Sequence, residues 1–301
     1  TLPQRLTLEL GLLLLWLCLA LVSICWSPDH WLGVAAGWHL VIFTGAFLLG
    51  QAWKDLWSFY GALALGLGLS SLLAIGQVLG WSPVVEGVSP AGLFVNKNFL
   101  AECGTLAIVG LVWDRRWELV GLLVPTVALT GCRAAFLALG AVVGVKISQK
   151  WPLLALGLCL LACFCGAIFL SSATLTQRLI MWREALAHFT LFVHGAGSFY
   201  PPFPSFNVDL DIFSSRPVWP HSELVNEVFE LGLGAIIPLG FFALLCLGPG
   251  QEREKMVLLA GLVLALFDYP LHLPMETLIL GVVSGALAAK RPKFWTVLGN
   301  G

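Results

Sequence analysis

Long apolar runs separated by short polar breaks dominate this sequence and restrict its fold to a few architectures. Of the 301 residues, 58% are hydrophobic and only 11% are charged, against roughly 25% charged residues in an ordinary soluble domain. Many runs approach the ~20 residues that an α-helix needs to cross a bilayer. The pattern predicts an all-α, polytopic integral membrane protein with a single transmembrane domain over residues 1–301. It predicts ten spans, at about residues 8–25, 31–50, 57–80, 97–113, 117–130, 132–147, 152–170, 222–247, 256–268 and 274–290.

Lysine and arginine are distributed unevenly over the two sides of this topology. With the N-terminus in the cytoplasm, 11 of the 16 basic residues lie on the cytoplasmic side, in agreement with the positive-inside rule. Each basic residue left on the outer side, taken alone, is explained equally well as a harmless surface charge. Together they favour an outer face that binds an anion. The five are Lys97, Arg133, Arg178, Arg183 and Arg216.

One long polar connection, residues 171–221, is predicted on the outer side. Its first part has apolar residues at three- and four-residue steps, which predicts an amphipathic helix lying on the membrane surface. Arg178 and Arg183 fall on opposite borders of the apolar stripe, and Glu184 is expected to point away from it. The alternative is an amphipathic lid whose arginines reach the headgroups without binding a ligand. The stripe consists of Leu175, Leu179, Trp182, Leu186 and Phe189.

Three predicted helices begin on the outer side with unusual polar residues: 96–98, 132–133 and 220–223. A helix N-terminus offers unpaired N–H groups and the positive end of the helix dipole, which favour a phosphate or pyrophosphate. Arg133 and an arginine of the loop would add charge-assisted bonds to phosphate oxygens. A polyprenyl-pyrophosphate sugar donor fits this charge and setting, and phospholipid headgroups are the competing explanation.

His221 is the candidate catalytic residue. It precedes Ser222, a good N-cap, and Glu223, a carboxylate suited to the first turn of a helix. A neutral imidazole at this position could take a proton from an acceptor hydroxyl. Asp268 and His272 form a further outer turn that could help to orient the imidazole, although a lone histidine at a membrane surface is more often structural.

Glu102 lies one helical turn beyond Asn98 and inside the predicted bilayer. An ionisable residue at such a depth indicates a functional site, and we expect Glu102 to pair with Lys97 or Arg133. A purely structural ion pair is the alternative of equal weight.

No metal-ligand spacing and no nucleotide-binding loop stands in a credible context, so neither a metal nor a cofactor is expected. The net charge of −1 gives no indication of a nucleic-acid partner. The eight cysteines lie mainly within apolar runs and are predicted to be reduced and buried in the membrane.

Five short segments resemble motifs of the O-antigen ligase family, which includes O-antigen polymerases and protein O-oligosaccharyltransferases. The resemblance covers roughly residues 92–287. Two departures are Cys132, where the family usually has serine or threonine, and Ala235, where a second glycine is frequent. The matching segments are Gly92–Ala101 (G-x-F-x-N-x-N-x-x-A), Arg133–Leu137 (R-x3-L), Arg178–Trp182 (an arginine-tryptophan helix), His221–Gly232 (H-S-x9-G) and Phe267–Pro274, the last outer turn.

The resemblance implies an enzyme of the bacterial inner membrane that works at the periplasmic face. Arg133 and Arg178 would bind the pyrophosphate of an undecaprenyl-linked glycan, with Asn96, Lys97, Asn98, Glu102 and Arg183 as further substrate-binding candidates. His221 would activate the hydroxyl of an acceptor, which is lipid A-core, a growing glycan or a protein, in a metal-independent, inverting transfer. A transporter for inorganic carbon or another small anion and a non-catalytic membrane scaffold are the alternatives.

Overall fold

A computed structural model describes residues 7–53, 56–81, 90–94, 96–150, 173–191, 193–199, 220–248 and 250–290. Within these ranges every regular element is a helix, and the all-α prediction is confirmed for this part of the chain. The predicted span 152–170 and residues 200–219 of the predicted loop lie outside the described residues.

The helices begin and end close to the predicted boundaries. Asn96 caps the fourth helix by accepting the N–H of Asn98 at 2.9 Å, and Pro274 opens the last one, where its missing N–H costs nothing. Short 3-10 turns cover Ile24–Trp26, Gly232–Ala235 and Pro270–His272. The α-helices of the described ranges are α1 (Leu8–Ser23), α2 (His30–Ala52), α3 (Leu56–Val78), α4 (Lys97–Trp113), α5 (Trp117–Thr130), α6 (Arg133–Lys150), α7 (Ala173–Ala187), α8 (Glu223–Leu231), α9 (Ile236–Leu247), α10 (Glu252–Phe267) and α11 (Pro274–Ala289).

Within the described ranges, four helical segments are long and apolar enough to cross a bilayer. They are Leu8–Trp26, His30–Ala52, Leu56–Val78 and Glu223–Leu247. Large apolar side chains point away from the protein on these segments, among them Leu69, which is 64% exposed, and Ile236, which is 73% exposed. Such a surface is stable against lipid, so the protein is a membrane protein.

The predicted span 222–247 is interrupted, whereas the sequence suggests one continuous helix. α8 ends at Gly232, whose φ of +55° and ψ of −129° are not helical, and α9 starts four residues later. Glycine takes up this backbone conformation without steric cost. A side chain on Gly234 would also collide with Leu19, since a Cβ built there lies 2.4 Å from the Leu19 Cδ2 atom. The interruption therefore comes together with a close approach of α1.

α2 and α11 pack with their backbones almost in contact. A Cβ built on Gly285 would lie 1.9 Å from the carbonyl oxygen of Phe47, and one on Gly50 would lie 2.0 Å from that of Val282. Small residues permit such approaches between membrane helices. The turn before α11 is thereby fixed over α2, where the rings of His39 and His272 lie 5.9 Å apart.

The two ends of the helix bundle differ in how their charged residues are paired. The first, which we call the ion-pair end, contains the ends of α4, α6 and α11 and the start of α10. There Arg253 bonds to Asp114 at 2.7 Å and Glu254 at 2.9 Å, and Lys290 contacts Glu254 at 3.2 Å. The second, which we call the His221 end, contains the starts of α4, α6, α8 and α11 and the end of α10.

Candidate functional site

His221 lies immediately before α8 in a strained backbone conformation. Its φ angle of +51° falls in the left-handed region, which residues with a side chain seldom adopt. The next residue, Ser222, caps α8 by accepting the N–H of Val225 at 3.4 Å, which confirms the predicted cap. The side chain of His221 is 37% exposed. Strain of this kind concentrates at functional sites, and the exposure makes the imidazole accessible to a ligand.

Asp268 is the carboxylate beside His221. Nδ1 of His221 lies 3.6 Å from Oδ1 of Asp268, too far for a hydrogen bond but close enough for an electrostatic interaction. The imidazole ring lies 5.3 Å from the ring of Tyr269. Burial, and then the charges of Asp268 and Glu102, raise the pKa of Tyr269, so its phenol stays neutral. Because Nδ1 faces Asp268, Nε2 is the nitrogen left for a ligand.

Glu223 fixes the turn that carries Asp268. Its backbone N–H donates to the carbonyl oxygen of Asp268 at 2.9 Å. Its carboxylate accepts the N–H of Leu271 at 3.1 Å and lies 3.0 Å from Nδ1 of His272. Burial alone would lower the pKa of His272, but the carboxylate of Glu223 reverses this and raises the pKa to about 9. His272 is thus the cationic partner of Glu223. Of the two turn residues expected to help orient His221, Asp268 lies beside it, whereas His272 pairs with Glu223.

α7 is attached on both sides of His221. The guanidinium of Arg178 donates to the carbonyl oxygen of Phe267, the last residue of α10. The indole N–H of Trp182, one turn further along α7, donates to the carbonyl oxygen of Pro220 at 2.7 Å. The structure therefore brings Arg178 to the turn that carries Asp268, beside His221.

Arg183 pairs with its neighbour in the sequence. Its guanidinium bonds to Oε1 of Glu184 at 2.7 Å, and its side chain is 70% exposed. Glu184 points away from the predicted stripe, as expected, but the face that carries it is buried, together with Met181 and Ala185. Met181 and Ala185 pack against Phe229 of α8. The predicted stripe residues Leu179, Leu186 and Phe189 are exposed instead, as a helix facing lipid requires.

Glu102 is completely buried beneath the turn, and its neighbours are acidic. It interacts with Asp268 and Glu276, so the expected ion pair with Lys97 or Arg133 is wrong. Lys97 lies five residues earlier on α4, about 140° away around the helix. Arg133 is exposed on the first turn of α6.

The starts of α4 and α6 border the same turn. The ring of Phe99 lies 6.4 Å from that of Tyr269, and Asn96, Lys97 and Asn98 are half-buried at the cap of α4. Cys132, directly before Arg133, interacts electrostatically with Asp268 and Arg178. Residues of α4, α7 and α8, and Cys132 directly before α6, therefore surround the Phe267–Tyr269 turn.

The sequence interpretation missed the segment 193–199, which enters the bundle after α7. The N–H groups of His194 and Gly195 donate to the carbonyl oxygen of Glu230 at 3.0 and 3.1 Å, and that of Ala196 donates to Ser23 at 2.9 Å. A Cβ on Gly197, whose φ is +72°, would lie 2.4 Å from the backbone of Leu32. The alternating glycines of H-G-A-G-S were the available signal for a backbone that packs this closely.

No protein-family model matches the chain, and no curated protein matches it. The relation to the O-antigen ligase family thus stays a resemblance of short motifs. Its five segments are distant in sequence, and the function proposed below depends on their meeting at one place.

Proposed function

We propose that the protein is a metal-independent glycosyltransferase of the O-antigen ligase and polymerase type. It transfers a glycan from undecaprenyl pyrophosphate to an acceptor hydroxyl. The observation that carries this proposal is the position of His221 beside Asp268, on the turn that Arg178 also binds. A base next to a guanidinium is what the attack of a hydroxyl on a pyrophosphate-activated sugar requires. Each of the five family-like segments either borders the Phe267–Tyr269 turn or lies next in sequence to a residue that borders it.

In the proposed step the acceptor oxygen forms a bond to the anomeric carbon while its proton passes to Nε2 of His221. The bond from that carbon to the pyrophosphate oxygen breaks, and the electron pair leaves with the pyrophosphate. Asp268 stabilises the imidazolium, and Arg178 and Arg133 stabilise the negative charge of the leaving group. This single displacement inverts the anomeric centre.

An apolar cavity supports a lipid-linked donor. It has a volume of about 260 Å³ and lies between α9 and α10, with Glu223, Pro270 and Leu271 among its lining residues. Apart from Glu227, the rest of its lining is aliphatic and aromatic, which suits a hydrocarbon chain better than a soluble sugar nucleotide. The cavity reaches the turn next to His221, so a lipid chain bound there would bring its pyrophosphate towards Arg178.

The proposal includes a ten-span topology in the bacterial inner membrane with the His221 end, and the loop 171–221, in the periplasm. The grouping of Arg253, Lys146 and Lys290 at the ion-pair end supports this orientation, since basic residues favour the cytoplasmic side. Asn96, Lys97, Asn98 and Glu102 would line the donor site from α4. The acceptor is lipid A-core, a growing glycan or a protein.

Anion transport is a second candidate because one span is interrupted at Gly232. Discontinuous helices are common at the substrate sites of transporters. Transport of inorganic carbon or another small anion by reconstituted vesicles, with no glycan transfer, would favour this candidate over the enzyme.

The decisive experiment measures glycan transfer from an undecaprenyl-pyrophosphate glycan by the purified protein and by His221→Ala. Loss of a general base should lower the rate about 100-fold or more while the dissociation constant of the donor stays unchanged. His188→Ala is the matched control, since His188 is an exposed histidine that follows α7. Acceptors of all three classes are assayed in parallel. Full activity of His221→Ala at an unchanged unfolding temperature would exclude the proposed role of the histidine.

A further inference from the structure

A small cavity lies next to the turn and shares Glu223, Glu227 and Leu271 with the larger apolar cavity. It has a volume of about 30 Å³, and α1, α2, α8 and the Pro270–His272 turn enclose it. Three glutamates of α8 line it at intervals of four and three residues, which places them on one face of the helix. These are Glu223, Glu227 and Glu230, and two histidines, His39 and His272, line the opposite wall. The volume is sufficient for one or two water molecules.

The three carboxylates carry more negative charge than the cavity wall balances. Glu223 is paired with the cationic His272 at 3.0 Å. Glu227 accepts only a neutral donor among the described residues, the indole N–H of Trp16, with its Oε2 atom at 3.3 Å. Two ionised carboxylates without a cation would be costly at such a depth, because neither could recover its hydration energy.

Glu230 differs from Glu227 in its hydrogen bonds. Its carboxylate accepts the backbone N–H groups of Gly197 and Phe199, and bonds of this kind favour the ionised form. The side chain is only 4% exposed, yet its Oε1 atom has no hydrogen-bond partner in the described part of the chain. An acceptor that is buried and unbonded at the wall of a cavity calls for a donor inside it.

We propose that Glu227 is a carboxylic acid at neutral pH and that its proton is shared, through water in this cavity, with the free oxygen of Glu230. The site is thus a buried proton-binding site with the ionised Glu230 as acceptor. A proton suits it better than a metal ion, since the described residues include no set of three His, Cys, Asp or Glu side chains arranged to hold a metal. The proposal is independent of glycan transfer.

The surroundings contain few other charged groups. Glu223 and His272 interact with both Glu227 and Glu230, and His39 faces the cavity from α2. His194 faces the opposite side of α8, where its ring stacks on Phe229 at 4.6 Å. α1 contributes the neutral Trp16, and α7 packs on α8 through apolar side chains. The nearby end of α8 adds the negative pole of a helix dipole, which further favours uptake of a proton.

Infrared difference spectroscopy of the full chain in lipid nanodiscs at neutral pH tests the proposal. Glu227→Gln should remove one carboxylic-acid C=O band that the unaltered protein shows. Glu230→Gln should shift that band, because the partner of the proton changes. Glu118→Gln is the control and should remove no carboxylic-acid band, since Glu118 is exposed and ion-paired with Arg116.

An unchanged set of carboxylic-acid bands in Glu227→Gln would overturn the proposal. Loss of the band on addition of Na⁺ at constant pH would also overturn it, because a metal ion would then occupy the cavity. Should Glu227→Gln not fold, Trp16→Phe gives a second test. It removes the indole N–H from Glu227 and should move the band to higher frequency, and a spectrum without that shift would contradict the assignment. None of these results depends on whether the protein transfers glycans.

Discussion

The ion-pair end and the His221 end of the bundle differ in the partners of their buried acidic groups. At the ion-pair end each buried acidic group faces a basic one, as in the contacts of Arg253 with Asp114 and Glu254. At the His221 end Glu102 is buried against Asp268, another carboxylate. Arg178, the nearby cation, bonds to a backbone carbonyl there. The first arrangement stabilises the fold. The second is unfavourable by itself, and such arrangements concentrate at functional sites.

The largest effect should follow from breaking the ion-pair end. Arg253→Ala leaves Glu254, which is fully buried, with Lys290 alone. It also removes the guanidinium nitrogen that contacts both carboxylate oxygens of Asp114. Removing one partner of a buried pair costs about 3–5 kcal/mol, and we expect the free energy of unfolding in detergent to fall by about 3 kcal/mol or more. Lys146→Ala is the matched control. It breaks the exposed pair with Glu252 and should cost less than about 1 kcal/mol. Equal losses in the two variants would contradict the distinction between buried and exposed pairs.

The next effect concerns the close, buried ion pair between Glu223 and His272 at the His221 end. The pKa of His272 is raised from 6.5 to about 9, so the folded state binds its proton more tightly than the unfolded state. The resulting stabilisation is complete below about pH 6.5 and is lost as the pH rises through about 9, by up to about 3 kcal/mol. In Glu223→Gln the free energy of unfolding should decrease less steeply with pH over this range.

Unfolding free energies of the unaltered protein and of Glu223→Gln, measured at about pH 6 and about pH 10, check the prediction. Asp29→Asn is a suitable control, because Asp29 caps α2 and is distant in sequence from both partners. A decline with pH that is as steep in Glu223→Gln as in the unaltered protein would show that His272 does not owe its proton to Glu223.

The positions of the helices and their N-caps could be predicted from the sequence. Span 117–130 agrees with α5, and span 97–113 agrees with α4, because the apolar run and the Asn96 cap act locally. The start of α8 after Ser222 follows from the same local chemistry. The interruption at Gly232 was not predicted, since the sequence analysis read residues 222–247 as one apolar run although α8 carries three glutamates and α9 has no charged residue.

The partners of individual side chains were harder to predict than the positions of the helices. Glu102 was expected to meet a basic residue on chemical grounds, but its partners are set by which faces of α4, α10 and α11 pack together. That the face of α7 with Glu184 is the one packed against the protein could not be predicted, because exposure to lipid and burial in protein both select apolar residues. Leu179 and Leu186 therefore indicate a stripe without indicating what covers it.

The smallest effect compares the two loop arginines, which border the same predicted stripe and have different partners in the structure. Under the proposed function, Arg178→Ala should weaken donor binding about tenfold, because a charge-assisted bond to phosphate is worth about 1.5–3 kcal/mol. Arg183→Ala should change the dissociation constant less than about twofold, since Arg183 already pairs with Glu184 and is 70% exposed. Titration of each variant with the undecaprenyl-pyrophosphate donor in nanodiscs measures both values. If Arg183→Ala weakens binding as much as Arg178→Ala does, the donor contacts the whole amphipathic helix, and the division between the two arginines fails.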